Sequence, residues 1–329
     1  MKYRRLGRTG LAVSPISLGT MGFGPPASTD DVARLVHTAL DLGINVLDTA
    51  NCYDGPERGD IVAGHAESML GEVLLPKLRD EFVLISKVGV PLRPGPQHRG
   101  LSATHILREL DNSLRRLATD YLDVYMIHWP DAYSHVEEVL RAIDQSVFSG
   151  KVRYFGISNH QAWQVGEYLW TADRRNWPAA AVSEIPRSLL DRRYENDLPF
   201  YERHEIGVVG YQPLMGGLLT NRGARNEEAP SAKGDAKIAG WRRTVLQDME
   251  GKLAELRKVA ANQGLSLSEL AIAWALLPSA ISSVVLGARS VEQLTSGLAA
   301  TECRIPTETL EQLDYLCPPP PPPQPRFER

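Results

Sequence analysis

The chain of 329 residues has only three cysteines, Cys52, Cys303 and Cys317, widely spaced and without a Cys-x-x-Cys pair. That excludes a disulfide framework and a cysteine zinc cluster, predicts no metal centre, and points to the reducing cytoplasm. It also lacks an excess of either charge: 36 Lys plus Arg stand against 40 Asp plus Glu, a net −4 with no long single-sign block. A dedicated nucleic-acid binder needs a basic face, so no nucleic-acid partner is expected. Nor is there a long hydrophobic run. The longest apolar stretch, Ala271 to Gly287, is broken by Pro278 and three serines and reads as a helix end plus a strand, so no membrane partner is expected. Lys2, Arg4 and Arg5 ahead of Leu11 to Gly24 imitate a secretion signal, but Gly7, Gly10 and Pro15 break the apolar run and no small-residue cleavage site follows. Both common phosphate-binding glycine signatures, G-x-G-x-x-G and G-x-x-x-x-G-K-[ST], are missing.

What is present is alternation. With 43% hydrophobic and 23% charged residues the chain has the composition of a globular protein. Short β-branched runs at Ser14–Thr20, Ile44–Thr49, Phe82–Lys87, Tyr121–His128, Val152–Ser158, Ala181–Glu184, Gly207–Tyr211 and Ser282–Leu286 predict eight strands. Between them, apolar residues recur at helical spacing, as in Val32, Leu35, Val36, Ala39 and Leu40, or Val136, Val139, Leu140 and Ile143. Capping residues are expected at Thr29 or Asp30, Ser102, Ser134 and Ser268. Strands alternating with helices require a parallel sheet, because each crossover returns the chain to the same end. Eight repeats, without the glycine signature of an open doubly wound sheet, favour an α/β fold of the (β/α)8 TIM-barrel type.

Tyr3–Leu6 and Leu11–Ser14 flank Gly-Arg-Thr-Gly, predicting an N-terminal β-hairpin that caps the barrel. The barrel domain is expected over residues 1–317, with an extra C-terminal helical segment and a proline-rich tail over 318–329. That tail opens with six consecutive prolines and predicts a solvated polyproline II segment. Asn221–Gly240 has no periodicity and reads as a surface loop or flap.

In such a barrel the reactive groups sit at the C-terminal strand ends. Three strand faces, Ile44/Val46/Asp48, Val83/Ile85/Lys87 and Val124/Met126/His128, each end in an ionisable residue, and Tyr53 follows on the loop after Asp48. Together they compose a proton donor. A phenol is a weak acid at neutrality, a nearby ammonium stabilises its phenolate and is expected to lower its pKa, a carboxylate holds the ammonium, and the histidine bonds a substrate oxygen.

These residues resemble the aldo-keto reductase superfamily along nearly the whole chain. Gly19-Thr20-Met21-Gly22-Phe23-Gly24, Leu47-Asp48-Thr49-Ala50 with Tyr53, Ile85-Ser86-Lys87, Ile127-His128-Trp129-Pro130, Gly156-Ile157-Ser158-Asn159, Tyr211-Gln212-Pro213-Leu214 and Gly287-Ala288-Arg289-Ser290-Val291-Glu292-Gln293 look like its successive motifs in order. The resemblance implies NADPH-dependent interconversion of a carbonyl and an alcohol. Tyr53 would be the general acid/base, Lys87 and Asp48 would tune it, and His128 would orient the carbonyl.

It further implies that NADP(H), preferred over NAD(H), lies across the barrel mouth. Ser158, Asn159 and Glu184 would meet the carboxamide, Tyr211 would stack on the nicotinamide, and Leu214, Gly216 and Leu218 would face the pyrophosphate. Arg289, Ser290 and Gln293 would hold the adenosine end, with Gly19, Thr20, Met21, Gln212, Pro213 and Gly287 completing the cradle. Phe23, Cys52 and Trp129 are expected to shape the substrate pocket, with Glu57, Arg58 and Asp60 supplying polar groups beside it.

Three positions depart from the family pattern. Glu184 stands where a glutamine is usual and is expected to pair with Arg187 or to alter the cofactor contact. Gly297 replaces a common asparagine, and Leu286 a frequent proline. The resemblance also leaves open a regulatory, redox-sensing NADPH-binding subunit, and an epimerase or dehydratase with transient hydride transfer. The partner is expected to be a small-molecule carbonyl or alcohol; the sequence leaves the oligomeric state open.

Overall fold

A computed structural model describes residues 1–24, 27–53, 64–74, 78–220, 236–288 and 290–321, with the side chains of 236–248 left aside. The N-terminal strands β1 (Arg4–Arg5) and β2 (Ala12–Val13) pair antiparallel. Eight parallel strands then close a barrel: β3 (Ile16–Gly19), β4 (Val46–Asp48), β5 (Val83–Val88), β6 (Leu122–Ile127), β7 (Val152–Ser158), β8 (Val182–Pro186), β9 (Gly207–Tyr211) and β10 (Ile281–Gly287), with β10 returning to pair with β3.

Between and after the strands lie helices α1 (Thr29–Asp41), α2 (His65–Leu74), α3 (Ala103–Arg116), α4 (Val136–Phe148), α5 (Ala162–Arg175), α6 (Leu198–Arg203), α7 (Ala236–Asn262), α8 (Leu267–Ala275), α9 (Val291–Ala299) and α10 (Thr307–Leu316). The eight strands, the hairpin and the C-terminal helix are as the sequence predicts. No helix among the described residues is long and apolar enough to cross a membrane.

Strand alternation builds two cores. Val46, Val83, Ile85, Val124, Met126, Val182, Val209 and Val285 fill the barrel interior, while a larger shell of apolar side chains joins the outer strand faces to the helices. Each such buried Val or Ile contributes about 1.5–3 kcal/mol. Leu6 and Val13 of the hairpin belong to the interior cluster, so the hairpin plugs the barrel floor. Gly7 is required there: its φ is +57°, and a Cβ would run into the backbone of Gly207. Ile44, expected on the interior face, packs instead in the outer shell, because β4 begins only at Val46.

The caps fall close to their predicted places. Ser102 caps α3, but the N-cap position of α1 is Ser28, that of α4 His135 and that of α8 Ser266. Ser28 and Ser266 win because the carboxylates of Asp31 and Glu269, three residues on, accept a hydrogen bond from the cap backbone N–H and complete a capping box. The expected loop over 221–240 is corrected at its end: α7 already begins at Ala236, while residues 221–235 lie outside the described part. The first tail residues Pro318, Pro319 and Pro321 are exposed, as expected of a solvated segment, although Asn196 Nδ2 donates to the carbonyl of Pro321 at 2.9 Å; residues 322–329 lie outside the described part.

Candidate active site

Lys87 ends the interior row of β5 and is wholly buried, and Asp48 ends that of β4 with 2% exposure. Two opposite charges removed from water persist only when tightly bonded. Lys87 Nζ donates to Asp48 Oδ1 and Oδ2 at 2.8 and 2.7 Å, to the Thr49 carbonyl at 3.1 Å and to the Tyr53 hydroxyl at 3.3 Å. The β4 end is pinned from the next strand, since both the backbone N–H and Oγ1 of Thr20 donate to the Asp48 carbonyl. His128 stands with its ring edge-on to Tyr53, centroids 5.9 Å apart, and Cys52 Sγ is 3.7 Å from its Nδ1. The four residues read from the sequence as a proton-transfer group are thus brought together.

Their electrostatics correct one expectation. Burial raises the Tyr53 pKa well above the ordinary phenol range, and the opposing pull of Lys87 does not overcome it. Tyr53 is therefore a protonated phenol. Lys87 itself is held well above its usual range, burial being outweighed by Asp48 and Glu184. His128 is pushed down to about 3 by burial and by Lys87, so its imidazole is neutral at physiological pH.

Of the two expectations for Glu184, pairing with Arg187 is not what the structure shows. Alternation from Val182 carries Glu184 into the barrel, where its Oε1 lies 3.4 Å from Lys87 Nζ. Arg187, beyond the end of β8, binds Glu195 at 2.7 Å and stacks 3.7 Å over Trp274. Sequence reasoning missed the Lys87 contact because it weighed the neighbour three residues away rather than the shared interior face.

A second network adjoins the first. Asn159, at a left-handed φ of 63°, donates from Nδ2 to the His128 carbonyl at 2.9 Å and to Ser158 Oγ at 3.0 Å, and accepts from the Tyr211 hydroxyl at 2.7 Å. After β9, Gln212 is exposed, Pro213 and Leu218 are buried, and Met215, Gly216 and Gly217 turn through φ of 47°, 61° and 88° beside Leu214.

A Cβ at Gly216 or Gly287 would meet open space, whereas one at Gly19 would strike Val285 at 2.6 Å. Bare backbone at two neighbouring strand ends, beside the half-buried Tyr211 ring, fits a dinucleotide that needs close approach at its phosphates. Ser290 and the exposed Gln293 stand at the start of α9. Arg289 and the polar residues Glu57, Arg58 and Asp60 lie outside the described residues. Met21 of the expected cradle is half exposed; of the expected pocket residues, Trp129 is half exposed and Cys52 partly buried, but Phe23 is packed into the outer core. Among the described residues no group of three His, Cys, Asp or Glu is placed to hold a metal ion.

A closed parallel barrel with buried ionisable groups gathered at the C-terminal strand ends is the architecture of a barrel enzyme. Its sequence matches the model of the Aldo/keto reductase family over residues 15–317. It is 33% identical to an uncharacterized oxidoreductase, YrpG, of Bacillus subtilis (99% of this chain, 98% of that protein). It is 32% identical to a probable voltage-gated potassium channel subunit beta of Arabidopsis thaliana (96% and 95%) and 28% identical to Protein tas of Escherichia coli (95% and 97%). The chain belongs to the aldo/keto reductase family and is an oxidoreductase of its nicotinamide-dependent kind.

Proposed function

We propose that the chain interconverts an aldehyde or ketone with its alcohol, with Tyr53 as proton donor and acceptor and NADP(H) as the preferred cofactor. The observation that carries this reading is the Lys87 ammonium, which bonds both Asp48 oxygens and the Tyr53 hydroxyl at once. The cofactor, when bound, supplies or takes up the hydride. Tyr53 delivers the proton to the carbonyl oxygen, and Lys87 stabilises the negative charge left on the phenol oxygen. Neutral His128 has a ring nitrogen to donate to the same oxygen and so orients it. Ser158 and Asn159 are suited to a carboxamide, Tyr211 to stacking, and the Leu214–Leu218 turn with Gly287 to the phosphates. Arg289 is the candidate for a 2′-phosphate, with which a guanidinium forms paired hydrogen bonds that NAD cannot offer.

A panel of aldehydes, ketones and alcohols followed at the NADPH absorbance, with NADH alongside, tests the reading. Net cofactor consumption and stoichiometric deuterium transfer from labelled NADPH into product support it, whereas internal cofactor regeneration points to an epimerase or dehydratase. The likeness to the plant channel subunit favours a second reading, a regulatory subunit that holds NADPH. Tight binding with negligible multiple turnover selects that alternative.

A further inference from the structure

Lys87 faces two carboxyl groups, and only one is needed to balance its charge. Asp48 Oδ2 stands 2.7 Å from Nζ and Glu184 Oε1 3.4 Å away, both residues almost fully buried. With both carboxyls ionised the pocket would hold a net negative charge in a dry interior; with one proton added it is neutral. Glu184 Oε2 is buried and accepts no hydrogen bond, and the Glu184 and Asp48 carboxyls converge on the same Lys87 Nζ. Two carboxylates cannot bond one another, but a protonated one donates to an ionised one.

The groups facing Glu184 are Asp48 from β4, Tyr53 from the loop after it, Lys87 from β5 and Tyr211 from β9. Burial and Asp48 push Glu184 well above the usual carboxyl range, in keeping with a retained proton. Its charge opposes ionisation of Tyr53.

Resting on the assignment of Tyr53 as proton donor, we propose that Glu184 is a positioning residue of the site, sharing a proton with Asp48 across Lys87 and, by releasing it as the pH rises, keeping the Tyr53 hydroxyl protonated. Neutral Glu184 leaves Lys87 free to stabilise the phenolate. Ionised Glu184 adds a negative charge that makes the phenol harder to deprotonate.

The substitution E184Q keeps the shape and removes the titration. The wild type should show, at neutral pH, the infrared carbonyl stretch of a protonated carboxylic acid, absent from E184Q. Because the folded state holds this proton more tightly than the unfolded chain, the wild type should lose stability as pH rises above about 4.5. The Tm of E184Q minus that of the wild type should therefore grow between pH 5 and 8. In turnover, Tyr53 next to an amide should ionise more readily, moving the alkaline limb of carbonyl reduction and the rising limb of alcohol oxidation about one pH unit lower.

A missing infrared band, a Tm difference constant across pH, or superimposable pH–rate limbs overturns the proposal. A wild type with the band and the pH-dependent Tm difference that turns over no carbonyl instead removes the reductase reading, and with it the catalytic half of this inference, while the shared proton stands.

Discussion

The side chain of Leu286, on β10, fills the space into which a Cβ on Gly297 of α9 would project. Two departures from the family pattern are thus one packing event: the leucine is accommodated because the helix opposite presents no side chain. Gly297→Ala should therefore destabilise the protein by about 1–3 kcal/mol, as over-packing of a filled core does. Combining it with Leu286→Ala should recover part of that loss. Urea unfolding of the four members of this cycle gives the coupling, and additive losses would mean that the two residues do not share the space.

Tyr53→Phe removes the proposed proton donor but leaves the ring. Carbonyl reduction should fall by about 10²–10⁴-fold, with NADPH affinity, read by fluorescence titration, nearly unchanged. Comparable turnover in this variant would remove Tyr53 from the mechanism.

Asp48→Ala leaves the Lys87 ammonium buried without its closest counter-charge. Breaking a buried pair by removing one partner costs about 3–5 kcal/mol, so a loss of this order is expected in denaturant unfolding, together with loss of turnover. Glu184, 3.4 Å from Nζ, supplies the remaining carboxyl. A stability equal to the wild type would show that it replaces Asp48 fully.

Acid should unfold the protein earlier than its carboxylates alone require. Burial holds His128 down to about 3 and His160 to about 4, against 6.5 for the exposed imidazole. Their depressed folded values mean that the unfolded chain binds protons first, so the contribution of these two imidazoles to stability is full above pH 6.5 and is lost as pH falls toward 4 and then 3. Plots of Tm against pH for His128→Gln and His160→Gln should be flatter than the wild type over this window. Parallel curves would argue that neither imidazole is held neutral.

The strands were legible because β-branched runs recur between amphipathic segments, and Asp48, Lys87 and His128 because each closes an alternating row at a strand end. Tyr53 needed only its nearness to Asp48. The rest depended on contacts between distant elements. Glu184 and Arg187 stand three apart with opposite charges, yet the strand sends the first inward to Lys87 and the second out to Glu195 and Trp274. Asn159 was legible as a candidate cofactor contact, but not its link from the His128 carbonyl to the Tyr211 hydroxyl, which joins three strand ends that only the closed ring makes neighbours. The net direction of the Tyr53 shift was misjudged because burial, which outweighs the ammonium, is not visible in residue order.

The ring closes where β10 meets β3, pairing Val284 with Ile16 and Leu286 with Leu18. These staves stand far apart in sequence, with the six other barrel strands between them, so a nascent polypeptide emerging from the ribosome must wait with an open, sticky seam until β10 has been made. Synthesis rate and chaperone supply should consequently govern yield more than for a fold whose contacts are local.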